Sequence, residues 1–206
     1  MSSLAGMEIL DPDDHKTLTL YRLMTSVIVP RPIGWVSTLS EDGVLNLAPF
    51  SYFQGVASKP PLLSLCIGRR GRERRKKDTL VNIEATREFV VNIVDEDLAA
   101  ACVLSSGEFD PDVDEFAFTG LETAPSRKIK PPRVARSPIA MECVLERAID
   151  LADDTITMVI GEVKLFQIRE GLRSGDTVDI AKLRPMARLG AALYAPIREV
   201  IEIPRP

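Results

Sequence analysis

Residues 33–48 read IGWVSTLSEDGVLNLA: two β-rich runs, Ile33 to Leu39 and Val44 to Ala48, flank Ser40-Glu41-Asp42-Gly43. The Asp-Gly pair supplies the positive φ that a tight hairpin needs, so the two runs are predicted to pair antiparallel. Working outward, Leu62 to Ile67 follows Pro60-Pro61, which forbids helix and forces an extended entry. Asp78 to Ala85 reads as a short helix capped by Asp78, followed by a strand over Phe89 to Val94. Glu96 to Leu104 has helical composition, and Ser105 to Pro132 is a loop too long to be filler. Ile139 to Ile149 and Thr155 to Ile168 form a second hairpin around Asp153-Asp154. Pro49 is expected to end the first hairpin. Two hairpins and two further strands give a mainly β chain with an antiparallel sheet of six strands and a few added helices. Closure into a barrel would remove the exposed edges of such a sheet, while periodicity alone leaves a flat α+β sheet as the alternative.

At 206 residues and 45% hydrophobic content, with no repeat and no shift in composition, one domain over 1–206 is the default. A net charge of -4 gives no general field for a nucleic-acid backbone or an anionic membrane, so an anion site must be local and neither nucleic acid nor membrane is expected as a partner. Cys66, Cys102 and Cys143 are an odd set without C-x-x-C spacing, which argues against a disulfide framework or a zinc knuckle and for a reducing compartment. Met1 to Asp14 has neither a basic nor an apolar leader region, and a cytoplasmic location is the expectation. The single histidine, His15, sits in a polar stretch expected to be mobile and solvated, so Ser-His-Asp chemistry and multi-histidine metal sites find no support. No metal ligand and no catalytic side chain is assigned.

Four stretches carry chemistry. In Val29 to Thr38 two prolines stiffen the approach, Gly34 permits close approach of another body, and Ser37-Thr38 place two hydroxyls at the strand end. A planar ligand with polar edges suits that place, and so does a plain strand entry with an interfacial Trp35. In Asn46 to Phe53, Ser51, Tyr52 and Phe53 are read as an irregular lip whose backbone amides are free. Fixed donors of that kind stabilise the negative charge of a reduced flavin without a titrating side chain. Its aromatics fit a core or a dimer interface equally well. The run from Arg69 to Lys77 concentrates positive charge just before a helix start, where a phosphate would meet Lys77, Thr79 and nearby amides. A nucleic-acid patch, a localisation-like run and a solvated loop compete for it. Arg188 to Ala195 offers Gly190 and two alanines for close packing, with Arg188 and Tyr194 as polar tips.

In this order the stretches PRPIGWVST (Pro30 to Thr38), NLAPFSYF (Asn46 to Phe53), KDT (Lys77 to Thr79) and RLG…Y (Arg188 to Tyr194) resemble the flavin-reductase-like, FMN-binding split-barrel family that includes flavoredoxin, over roughly Tyr21 to Pro196. The resemblance implies a six-stranded antiparallel split β-barrel, a homodimer, and FMN near the subunit interface. By position, Trp35, Val36, Ser37 and Thr38 would line the flavin, Ser51, Tyr52 and Phe53 would meet its ring or phosphate chain, and Lys77 and Thr79 would hold the phosphate. It further implies an NADH- or NADPH-dependent flavin reductase that passes electrons to free flavin, a partner monooxygenase or another acceptor. The alternative is a flavoredoxin-like carrier without NAD(P)H activity of its own. No G-x-G-x-x-G follows a strand, so any nicotinamide must stack directly on the flavin. The dense basic run before Lys77, Gln54, and Ala191-Ala192 depart from the family pattern.

Overall fold

A computed structural model describes residues 6–71 and 73–204, so the expectations for Met1 to Ala5 and for Arg72 lie outside the described residues. In chain order, helix α1 (Thr17–Val27) leads into β1 (Arg31–Pro32), β2 (Gly34–Leu39), β3 (Leu45–Phe50), β4 (Phe53–Ser58) and β5 (Pro61–Gly68). There follow α2 (Asp78–Thr86), β6 (Glu88–Ile93), α3 (Ala99–Leu104), α4 (Glu115–Thr119), the long hairpin β7 (Ile139–Leu151) and β8 (Ile156–Ile168), and finally β9 (Met186–Gly190) and β10 (Leu193–Pro196).

The main sheet is antiparallel in the order β3-β2-β6-β7-β8-β5-β4. Its two outermost strands are consecutive in the chain, since β3 ends at Phe50 and β4 begins at Phe53. Three peptide steps span at most about 10 Å, so the end of β3 and the start of β4 lie close together and the sheet curls, while the two strands share no ladder and the barrel stays split along them. Alternate residues of the strands other than β4 fill its interior, including Val36, Phe50, Leu63, Leu65, Ile67, Phe89, Val91, Cys143, Leu145, Val159 and Val163, and Leu80 and Ile83 of α2 pack onto the same cluster. The opposite face of β2 is buried too: Trp35, with Ile33 and Leu47, packs against Leu98, Cys102, Phe116 and Met186.

The mainly β antiparallel class stands as expected, with seven strands in the sheet instead of six. The added strand is β4, whose first residue, Phe53, pairs with Leu65 and so belongs to the ladder and not to an irregular lip. Pro49 does not end its strand; it lies opposite Trp35 in β3, the edge position where a missing donor is tolerated. Both predicted hairpins form, the first with Leu39 opposite Leu45 and Gly43 at φ 86°, the second turning through Asp153 and Asp154 at φ 51° and 59°. The Ser105 to Pro132 loop contains the short helix α4, held by the Asp114 carboxylate, which accepts from the amides of Phe116 and Ala117. The segment after His15 is helical, and His15 itself is half-buried, its amide donating to the Pro12 carbonyl. None of the described helices is long and apolar enough to cross a membrane.

A second sheet, β1-β9-β10, carries α1 against it. Gly190 has φ 124° and sits beneath the end of that helix, where a Cβ would come 3.0 Å from the Thr25 carbonyl oxygen. Both the left-handed backbone and the contact exclude a side chain there.

Inside the barrel the tightest point is Gly161, where an added Cβ would lie 2.4 Å from Cζ of the fully buried Phe89. Gly161→Ala is therefore expected to cost about 1–3 kcal/mol through overpacking. Urea unfolding measures it, and a midpoint equal to wild type's would show that Phe89 moves aside freely.

Candidate functional site

A cleft of about 1040 Å³ opens between α1, the β9–β10 turn and the end of β3. Pro49, Phe50 and Ser51 form one wall, Arg22, Thr25 and Ser26 of α1 another, and Arg188, Ala191 and Tyr194 a third. The connection Ser51–Tyr52 between β3 and β4 borders it. The Tyr52 carbonyl accepts from the Cys66 amide at 2.9 Å, but among the described residues the amides of Ser51 and Tyr52 find no protein acceptor. The side chains of both residues stand beside Arg31, whose Nε lies 3.4 Å from Ser51 Oγ and whose guanidinium carbon is 6.0 Å from the Tyr52 ring centre.

Arg31 is 4% exposed, and the sequence motif gave it no role. Its guanidinium donates to the carbonyls of Thr25 and Ile28, the latter at 2.9 Å, at the C-terminal end of α1. That is the negative end of the helix dipole, which partly compensates the buried cation. Around the corner, Lys77 stands at the N-cap of α2 without a side-chain cap of its own, its Nζ 5.7 Å from the Phe50 ring centre. Desolvation lowers the Lys77 pKa, opposed by the nearby Glu108 carboxylate. Phe50 thus links two positive poles: Lys77 over its ring, and Arg31 beyond Ser51.

The nine residues singled out by sequence divide sharply. Ser51, Tyr52 and Lys77 lie at this junction. Trp35 is fully buried, its indole N–H donating to Ser105 Oγ at 2.8 Å, and Val36 fills the barrel. Ser37 donates to the Pro132 carbonyl at 2.6 Å and accepts from Asn92 at 3.2 Å. The hydroxyls of Thr38 and Thr79 both donate to Asn46 Oδ1, at 3.2 and 2.7 Å, and Thr38 accepts from Asn82 at 3.0 Å. Phe53 packs beside Gly34, where an added Cβ would come 3.0 Å from Leu65 and 3.1 Å from Phe53. These inward side chains hold the wall in place. Besides Arg31 and Phe50, the residues that sequence reasoning did not place at the site include Glu115.

Glu115 is 5% exposed and anchors α4 to the hairpin: Asn46 Nδ2 donates to it at 2.8 Å and the Leu47 amide at 2.9 Å. One chain of hydrogen bonds therefore runs Glu115–Asn46–Thr79, from the long loop to the first turn of α2. Of the basic run, Arg69 pairs with Asp150, Arg70 with Asp78, Arg75 with Glu73 and Lys76 with Glu84. The charge of these four is matched locally, whereas Lys77 has no ion-pair partner among the described residues.

With this geometry in view, the family model for a flavin reductase like domain matches residues 24–185. The chain belongs to the flavin-reductase-like family. Among solved structures it is similar to nitrilotriacetate monooxygenase component B from Bacillus cereus, at 36% identity over 96% of this chain and 98% of that one, with a TM-score of 0.91. It is also similar to the 2-nitrobenzoate 2-nitroreductase NbaA from Pseudomonas fluorescens, at 31% identity, TM-score 0.87, over 97% and 96% of the two chains. A split-barrel protein from Shewanella frigidimarina shares the fold at 22% identity, TM-score 0.86, over 98% and 100%. The flavin-reductase-like split barrel thus accounts for the curled sheet.

Burial pushes the Glu115 carboxyl above its ordinary value, against the bonds from Leu47 and Asn46 that favour the ionised form. An acid whose native pKa is raised binds its proton more tightly folded than unfolded. Its contribution to stability is complete below the unfolded pKa and is lost as pH rises through the native one. The stability of wild type relative to Glu115→Gln is therefore expected to fall as pH climbs above the ordinary value of 4.5. Urea titrations at several pH values check the slope, and a relative stability that rises with pH would contradict it.

Proposed function

We propose that the chain binds FMN at the junction of Ser51–Tyr52, Phe50 and Lys77 and works as a flavin-dependent oxidoreductase. The observation that carries the reading is the pair of amides at Ser51 and Tyr52, which have no acceptor among the described residues and sit on the short connection between β3 and β4 beside the buried Arg31. The residues fit the group: a flavin needs fixed donors at its polar edge, apolar contact for its ring, and a cation for its phosphate. The amides offer the first, Phe50 and Tyr52 the second, Lys77 and the start of α2 the third. Trp35, Val36, Ser37, Thr38 and Thr79 support these groups from behind, and Phe53 braces the turn.

Bound there, FMN would supply two-electron chemistry, accepting a hydride from NADH or NADPH and delivering electrons to free flavin, a partner monooxygenase or another acceptor. The protein's own part is to bind, orient and polarise: Ser51 and Tyr52 donate to the edge where negative charge gathers, and Arg31 stabilises that charge through a low-dielectric wall. The similarity to a monooxygenase component B and to a nitroreductase supports an oxidoreductase over a passive carrier. A homodimer is part of the reading, supported by Leu18, Tyr21 and Met24 on α1, which are 58, 57 and 48% exposed on one apolar ridge. One domain over the whole chain, working in the cytoplasm with its three cysteines free, completes it.

The test is the absorbance of the protein after FMN addition and desalting, then anaerobic NADH or NADPH in the same cuvette. Retained flavin bands that bleach with a nucleotide support the reductase; bands that need dithionite support the flavoredoxin-like carrier; loss of all flavin on desalting, with no binding in titration, overturns the reading. Lys77→Ala is expected to weaken FMN binding by about 1–3 kcal/mol, the range of a hydrogen bond to a charged group. Unchanged affinity would remove Lys77 from the site.

A further inference from the structure

β1 and β9 pair so that Arg31 and Arg188 stand directly opposite each other. Side chains of directly opposed residues share a face, and like charges there repel. The α1 carbonyls compensate Arg31, but Arg188 has only neutral partners: its guanidinium donates to Tyr194 Oη and the Ala191 carbonyl and lies 4.3 Å from the Tyr194 ring centre. Both line the cleft, with Arg22 on the α1 wall, and none of its lining residues is acidic. Among the described residues no carboxylate stands within ion-pair distance of any of the three. In a chain of net charge -4, three arginines in one cleft without an acid form a concentrated positive site.

Resting on the FMN reading, we propose that the cleft takes a second ligand, a planar ring bearing an anionic group, whose charge is received between Arg31 and Arg188. The ring would occupy the apolar space beside Pro49, Phe50 and Tyr194, next to the flavin position. An anion there cancels the cross-strand repulsion, and Arg188 turns from its neutral acceptors to a charged one, the stronger partner. Arg188 is then the residue that sets specificity for charge, while Arg31, which also secures α1, positions it. The shared chemistry has two sources, an aromatic carboxylate or a nucleotide phosphate.

The experiment uses the FMN-loaded protein and follows the flavin spectrum during titration with matched pairs that differ in charge: benzoate against benzamide, and AMP against adenosine. At least one anion is expected to bind on the order of tenfold more tightly than its neutral counterpart, as a charge-assisted hydrogen bond requires. Arg188→Gln should abolish that preference and Arg188→Lys restore part of it. The pair that discriminates identifies the source, carboxylate or phosphate. Neither pair discriminating in wild type, or a preference that survives in Arg188→Gln, overturns the proposal while leaving the FMN reading intact. Loss of FMN in Arg188→Gln also overturns it, by placing Arg188 in the flavin site. Failure of wild type to hold FMN overturns the reading beneath it.

Discussion

Two residues, Ser51 and Tyr52, join the outermost strands of a seven-stranded sheet. So short a connection brings one end of each edge strand together and forces the sheet to curl, and the rest of the architecture follows from that corner. The interior becomes a single apolar cluster. The corner also has a local cost. At the point where the chain passes from one edge to the other, it cannot serve either ladder fully, and two amides remain without protein acceptors among the described residues. The feature that curls the sheet is thus the feature that makes a binding lip.

The lip is rigid because buried polar groups tie its surroundings together. Glu115 and Asn46 connect the long loop, the first hairpin and the start of α2 through hydrogen bonds of 2.7 to 2.9 Å. Trp35, Ser37 and Asn92 make a second such set between β2, β6 and the segment around Pro132. Satisfied networks of this sort specify one arrangement, since any partial rearrangement leaves a buried group unpaired. On the other side Arg31 fastens the end of α1 to the strand below it, so the helix wall and the lip share one anchor.

Much of the fold was legible in the sequence because it is written in short-range signals. Asp42-Gly43, Asp153-Asp154 and the alternation of Thr155 to Ile160 act within a few residues, and both hairpins and α2 fall close to their predicted bounds. Pro49 misled because the residue itself does not say that its strand lies at an edge. Helix α1 was not foreseen, since its Thr-, Tyr- and Val-containing sequence has weak intrinsic helix preference and gains support from Arg31 and β9. The candidate site was half legible. Residue type indicated that Trp35, Ser37 and Thr38 do something polar or aromatic, but their partners Ser105, Pro132 and Asn82 lie 70, 95 and 44 positions away. Only tertiary pairing shows that they support a wall, and only the β1–β9 register brings Arg31 opposite Arg188.

The central claim is that a flavin meets this chain at the connection between β3 and β4. A crystal structure of the protein with FMN tests it most directly. The account predicts the phosphate at Lys77 and the first turn of α2, with the polar edge of the ring on the Ser51 and Tyr52 amides in front of Arg31. FMN seated elsewhere would contradict it, for example in the separate cleft of about 410 Å³ lined by Arg133, Arg136, Arg169 and Asp95.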